Sequence, residues 1–149
     1  MDIQQATLVH LTQLVPLFDA YRVFYKQDSD PIRARAFLKA RFENKESIVF
    51  IAFVDGEAVG FTQLYPTFSS MHTVRNWILN DLFVSPAFRK RGIAEALVQH
   101  ALQFAKQQDA VFVQLETQLT NLTAQNLYKK IGFELESKGS EFLLFKKTV

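Results

Sequence analysis

With 149 residues, 48% of them hydrophobic, the chain has the size of one domain over residues 1–149 and enough apolar surface for a single core. Its 17 basic and 15 acidic residues leave a net charge of only +2, which argues against a dedicated nucleic-acid binder with a basic face. It contains no cysteine, so a structural disulfide, a thiolate-ligated zinc and a cysteine acyl-enzyme are all excluded.

The first ten residues lack a basic segment followed by a long apolar core, and nowhere do 18 uncharged apolar residues run together, so the expectation is a cytoplasmic protein with no membrane segment. Residues 2–5 read as a short strand. Thr7 then offers an N-cap, and Leu8, Leu11, Leu14, Val15, Phe18 and Tyr21 follow at helical spacing to about Tyr25. Pro16 sits inside that pattern and is expected to kink or restart the helix. Asp30-Pro31 is an N-cap followed by proline at the first helical position, opening a second helix over Ile32, Phe37, Leu38 and Arg41.

Ser47–Val54 and Ala58–Tyr65 are β-rich runs joined by Asp55-Gly56, a two-residue hairpin signal. After a loop at 66–73 comes a central strand at about 75–84, in which Trp77, Leu79, Asp81 and Phe83 alternate loosely with their neighbours, and Pro86 stops the ladder. Past Gly92 the period changes: Ile93, Leu97, His100, Ala101 and Phe104 recur at helical spacing. The turn Arg89-Lys90-Arg91-Gly92-Ile93-Ala94 therefore becomes a helix entrance, where free amides, the positive end of the macrodipole and three adjacent cations favour an anion such as phosphate. A strand at 111–117, a helix at 121–131 and a final strand pair at 133–137 and 141–147 complete the pattern. Strand, helix, strand makes the two central strands a parallel unit with a right-handed crossover.

The spacing R-x-x-G-x-A over Arg89, Gly92 and Ala94 resembles the acetyl-coenzyme A pyrophosphate loop of the GNAT superfamily of N-acetyltransferases. Downstream, Asn121, Ala124, Tyr128, Gly132 and Phe133 are spaced like that superfamily's N-x-x-A-x-x-x-Y-x-x-x-G-F signature, and the resemblance spans roughly residues 48–145. It implies an α/β (α+β) fold, GNAT-like, with a mixed central sheet, splayed parallel central strands and flanking helices. It also implies acetyl-CoA as co-substrate and an amine as acceptor, a small molecule or a peptide lysine, attacked directly in a ternary complex.

By the same resemblance, the backbone of Leu82, Phe83 and Val84 faces the gap between the splayed strands and hydrogen-bonds the pantetheine arm. Residues 89–94 cradle the pyrophosphate, with Ile93 and Ala94 opening the helix. Asn121 combines an N-cap with a pantetheine contact, and Tyr128 is the general acid that protonates the leaving thiolate. The general base is open: polyamine acetyltransferases with a similar strand carry glutamate where this chain has Asn80, which cannot take a proton. Asp81 is ranked first, Glu116 second, and a water chain remains a third route. Phe24, Tyr25, Tyr65 and Phe68 offer aromatic faces that could border the acceptor. The three histidines lack ligand spacing, so no metal is assigned. A coenzyme A sensor without catalysis is the rival from another class, and the reading allows a homodimer.

Overall fold

The computed structural model describes all 149 residues. Seven strands form one sheet, ordered β1 (Asp2–Gln5), β2 (Ile48–Val54), β3 (Glu57–Ser69), β4 (Val74–Val84), β5 (Phe112–Gln118), β7 (Phe142–Thr148) and β6 (Glu134–Lys138). Only β4 and β5 run parallel; every other neighbouring pair is antiparallel. The helices α1 (Leu11–Phe24) and α2 (Pro31–Glu43) cover one face, while α3 (Ile93–Gln107) and α4 (Leu122–Ile131) lie on the other.

Local chemistry accounts for most of these boundaries. Asp30 accepts a hydrogen bond from the Arg33 amide at 3.0 Å, with Pro31 opening α2, and Asn121 accepts from Ala124 at 3.1 Å to open α4. Asp55 and Gly56 both have positive φ, 49° and 80°, as a two-residue hairpin with the native twist requires. Thr7 caps a short 3-10 turn, Leu8–His10, before α1 proper begins.

Three expectations need correction. Pro16 does not restart α1, which runs through it from Leu11 to Phe24; the proline is exposed, so the carbonyl it leaves without a donor lies on the solvent side. Half of the segment 66–73 is strand: β3 continues to Ser69, with Pro66 paired to Trp77 and Phe68 to Arg75, and only 70–73 form the turn at the tip of a long hairpin. The even alternation of β4 is also broken. Gln63 pairs with Asp81 but Leu64 pairs with Leu79, leaving Asn80 as a bulged residue. Trp77 and Leu79 therefore pack in the core beneath α3, whereas Phe83 joins the core beneath α1.

The pairing of β4 with β5 covers two rungs, Trp77 with Val113 and Ile78 with Gln114. On its other side β5 pairs with β7 along its whole length, from Phe112–Thr148 to Gln118–Phe142. The strand follows β7 and leaves β4, so the sheet opens into a wedge beyond Ile78. Asn76, 1% exposed, closes the narrow end: its Oδ1 accepts from the amides of Val111 at 2.8 Å and Phe112 at 3.1 Å. Asn76→Ala leaves two amide donors without this acceptor and is expected to cost about 1–3 kcal/mol in urea unfolding. A loss below about 0.5 kcal/mol, the scatter of ordinary surface substitutions, would contradict a clamp at this position.

Candidate active site

The wedge is the floor of a cleft of about 670 Å³ that extends from the C-terminal half of β4 to the entrance of α3 and across to α4. Leu79, Leu82, Phe83 and Val84 form one wall; Glu116, Thr117, Asn121 and Tyr128 form the other. On the far side of the sheet a second opening of about 380 Å³ is bordered by Gln114, Gln118 and Phe142. Tyr21, Tyr25, Leu79, Asn80, Glu116 and Thr117 border both spaces. They are two mouths of one gap through the sheet.

At the first mouth the turn preceding α3 is shaped to receive an anion. Lys90 and Gly92 both adopt left-handed conformations, φ 62° and 78°, two positions apart, a backbone of the kind that forms anion-binding turns. No side chain caps α3, and the Ala96 amide, bonded to Gly92 O at 3.1 Å, is the first with an intrahelical acceptor. A Cβ on Gly92 would meet no protein atom within 4 Å, so its lack of a side chain keeps open a space the protein itself does not fill. An uncapped helix end, two left-handed residues and an open approach fit the pyrophosphate of coenzyme A.

The three adjacent cations divide their duties. Arg89 lines the cleft, but its Nε donates to Val84 O at 2.9 Å and its guanidinium lies 5.5 and 5.7 Å from the ring centres of Phe83 and Phe24. It ties the phosphate turn to the end of β4 as well as adding charge. Lys90 lines the cleft and is free of ion pairs. Arg91 does not line it; its guanidinium stacks 5.0 Å from the Phe88 ring centre, which turns its charge outward. A cation that sequence reasoning did not assign to the site, Lys130 of α4, reaches the cleft wall and bridges to Glu95 at the start of α3 at 2.9 Å.

Tyr128 is 7% exposed and packs edge-on against Phe133 with ring centres 5.7 Å apart. Burial, reinforced by the nearby Tyr25 phenol, raises its pKa far above the ordinary phenol value, and no hydrogen bond offsets the shift. Asn121 uses Oδ1 to cap α4, which leaves its Nδ2 group to donate into the cleft it lines.

The two candidate carboxylates lie in different surroundings. Asp81 borders neither mouth and is 5% exposed. The bulge at Asn80 turns it into the layer beneath α1, where Gln63 Nε2 donates to it at 2.7 Å and Asn80 Nδ2 at 3.0 Å. Burial raises its pKa, and the hydrogen bonds from Gln63, Tyr21 and Asn80 partly offset that rise. Glu116, ranked second from sequence, borders both mouths and is exposed to solvent.

Of the four aromatic acceptor candidates, Phe24 and Tyr25 line the gap. Tyr65 and Phe68 do not, because β3 carries them to the paired, closed end of the β3–β4 hairpin; Phe68 is 76% exposed there. Tyr21 was missed, having been read as one more apolar-face residue of α1. Its spacing of four from Tyr25 was the available signal, and the two rings lie 5.0 Å apart.

Comparison with known proteins agrees with this geometry. The family model described as "Acetyltransferase (GNAT) family" matches residues 12–133. An uncharacterized N-acetyltransferase of Bacillus subtilis, YhfO, is 48% identical over 134 residues, 90% of each chain. A probable acetyltransferase of Haemophilus influenzae is 36% identical over 148 residues, 97% of each chain. Among solved structures, the crystal structure of a probable acetyltransferase superposes with a TM-score of 0.88 at 44% identity, covering 94% of both chains. With its motifs placed on either side of a splayed β4–β5 pair, the chain belongs to the GNAT family and is an acetyl-CoA-dependent N-acetyltransferase.

Proposed function

We propose that this protein transfers acetyl from acetyl-CoA to a primary amine by direct attack in a ternary complex. The observation that carries the reading is the buried Tyr128 phenol, without a protein hydrogen-bond partner, in the wall of a gap that passes through the sheet. One mouth has the phosphate turn and the other is free for a second substrate, so both partners can meet at the wedge without a covalent enzyme intermediate.

Bound acetyl-CoA supplies the acetyl thioester. The turn at 89–94 and the start of α3 hold its phosphates, and the free edge of β4 at Leu82–Val84 pairs with its pantetheine amides. Asn121 Nδ2 donates to the same arm. At the wedge the amine nitrogen forms a bond to the acetyl carbon, the carbon–sulfur bond breaks, and the sulfur leaves with the bonding electrons. Tyr128 donates its proton to that sulfur. The raised pKa keeps the phenol protonated through neutral and mildly alkaline pH, at the cost of a weaker drive to give the proton up.

The attacking nitrogen must lose protons, and Glu116 is the carboxylate placed to accept one, directly or through water. Asp81 acts at one remove: its carboxylate accepts from the Asn80 amide in the bulge and faces the Tyr21 phenol, which positions two groups bordering both mouths. Asp81 thus becomes a positioning residue in this reading, and Glu116 the base.

Tyr128→Phe removes only the hydroxyl and is expected to leave acetyl-CoA affinity unchanged while lowering kcat by roughly 10²–10⁴-fold, the usual span for positioned acid catalysis. Calorimetry with steady-state kinetics checks both halves; an unaltered kcat under rate-limiting chemistry would assign Tyr128 to packing alone.

The two carboxylates are separated by their pH–rate profiles. Turnover rises with pH as the amine and its base lose protons, so Glu116→Gln should depress the acidic limb. Asp81→Asn should lower the rate at all pH values while retaining the shape of that limb. If Asp81→Asn abolishes the limb and Glu116→Gln spares it, the two assignments are reversed.

A further inference from the structure

Asp81 is a buried carboxylate that borders neither mouth of the gap, and three donors converge on it: Gln63 Nε2 at 2.7 Å, Asn80 Nδ2 at 3.0 Å and the Tyr21 phenol. An ionised carboxylate only accepts hydrogen bonds, so the donor end of each partner turns toward it. Two of the three partners, Tyr21 and Asn80, border both mouths. With the phenol hydrogen and the amide NH₂ group committed to Asp81, what each has left for the gap is an oxygen, Tyr21 Oη and Asn80 Oδ1. Both groups are held firmly. The Tyr21 ring stands edge-on to Phe61 and Phe83, with ring centres 5.8 and 6.4 Å away, and lies 5.0 Å from the Tyr25 ring. Asn80 is the bulged residue of β4, its place fixed by the pairing of Gln63 with Asp81 and of Leu64 with Leu79.

From this arrangement we infer that Tyr21 Oη and Asn80 Oδ1 together form the seat of the attacking nitrogen, with Asp81 behind them fixing which atoms they show to the gap. The inference rests on the acetyl-transfer reading above and names the groups that orient its nucleophile. A neutral primary amine, formed once an ammonium has lost a proton by way of Glu116, carries two N–H bonds and one lone pair. Two fixed acceptors engage the two N–H bonds and leave the lone pair a single direction. As the nitrogen bonds to the acetyl carbon it gains positive charge, and its N–H bonds become stronger donors. Two oxygens backed by a buried carboxylate hold that charge better than they hold the free amine, so the seat acts on the transition state more than on binding. A secondary amine has only one N–H bond at this stage and leaves one of the two oxygens without a partner. Asn80, which cannot take a proton, thus has a use that a proton acceptor would not fill.

The test pairs each primary amine with its N-methyl counterpart: n-butylamine with N-methylbutylamine, and a neutral lysine-containing peptide with the same peptide methylated once on the lysine nitrogen. The unaltered protein should favour the primary member of a pair by about tenfold or more in kcat/KM, the scale of one hydrogen bond lost in a partly desolvated site. Asn80→Ala, at an exposed position, and Tyr21→Phe should each bring that ratio close to one, chiefly by lowering kcat for the primary amine, in protein that calorimetry shows to bind acetyl-CoA. Asp81→Asn should reduce the ratio as well, because an amide there has one accepting oxygen in place of two. A merely structural role would change stability, or all rates together, and leave the ratio alone. If the ratio survives in both Asn80→Ala and Tyr21→Phe, or the unaltered protein accepts both members of a pair equally, the seat is overturned and acetyl transfer to an amine stands. If no member of either pair is acetylated by protein that binds acetyl-CoA, the seat and the amine-transfer reading are overturned together.

Discussion

The separation of β4 from β5 after two rungs of parallel pairing is the constraint on which the rest of the molecule depends. A sheet interior normally satisfies its backbone groups by continuing the ladder, and the edge of β4 beyond Ile78 gives that up on one side. Several neighbours hold the strand in place despite the loss. Thr62 Oγ1 donates to Asp81 O at 2.8 Å, Ser85 N bonds to Val59 O at 2.8 Å, and Arg89 reaches back to Val84 O. Gly60 permits the tightest of these approaches, since a Cβ there would meet Phe83 O at 2.9 Å. The result is a rigid strand with one free edge, which suits recognition of an extended amide-bearing ligand by strand addition.

Charge is distributed to match that opening. The helix dipole, the free amides at the start of α3 and Lys90 favour an anion on the α3 side, and Glu116 is an exposed carboxylate bordering both mouths. The bulge at Asn80 bears on this distribution, because it withdraws the second carboxylate, Asp81, into a bonded position under α1 and leaves Glu116 as the exposed carboxylate of the gap. The aromatic rings of Tyr21, Tyr25 and Tyr128 border the gap, and burial raises the pKa of each phenol.

Much of the architecture was legible in the sequence because it follows from local rules. Asp30-Pro31, Asp55-Gly56, Gly92 and Asn121-to-Gly132 mark caps and turns through backbone conformations that few residues adopt, and each lies where its chemistry places it. The backbone of the turn before α3 and the place of Tyr128 on α4 were legible for the same reason, being tied to helix ends and to one turn of a helix. What escaped was set by register. A period-two reading of β4 puts Trp77, Leu79, Asp81 and Phe83 on one face, and no residue type in that stretch announces that Asn80 is skipped. That single bulge decides that Asp81 is a buried partner of Gln63 rather than a wall of the gap. Likewise, residues 66–73 were read as a loop, but a proline such as Pro66 is compatible with strand pairing where its missing donor is not needed, and the longer hairpin carried Tyr65 and Phe68 away from the gap.

Hydrogen exchange with and without coenzyme A tests the central claim most directly, since it reads the backbone amides that the wedge and the helix entrance leave without partners. Binding within the splay should slow exchange at Leu82–Val84 on β4 and at Gly92–Glu95 at the start of α3, with little change in α1, α2 or the β6–β7 edge. Protection confined to other segments, with both of these stretches exchanging as in the free protein, would contradict an account in which the parted strands and the uncapped helix hold the coenzyme.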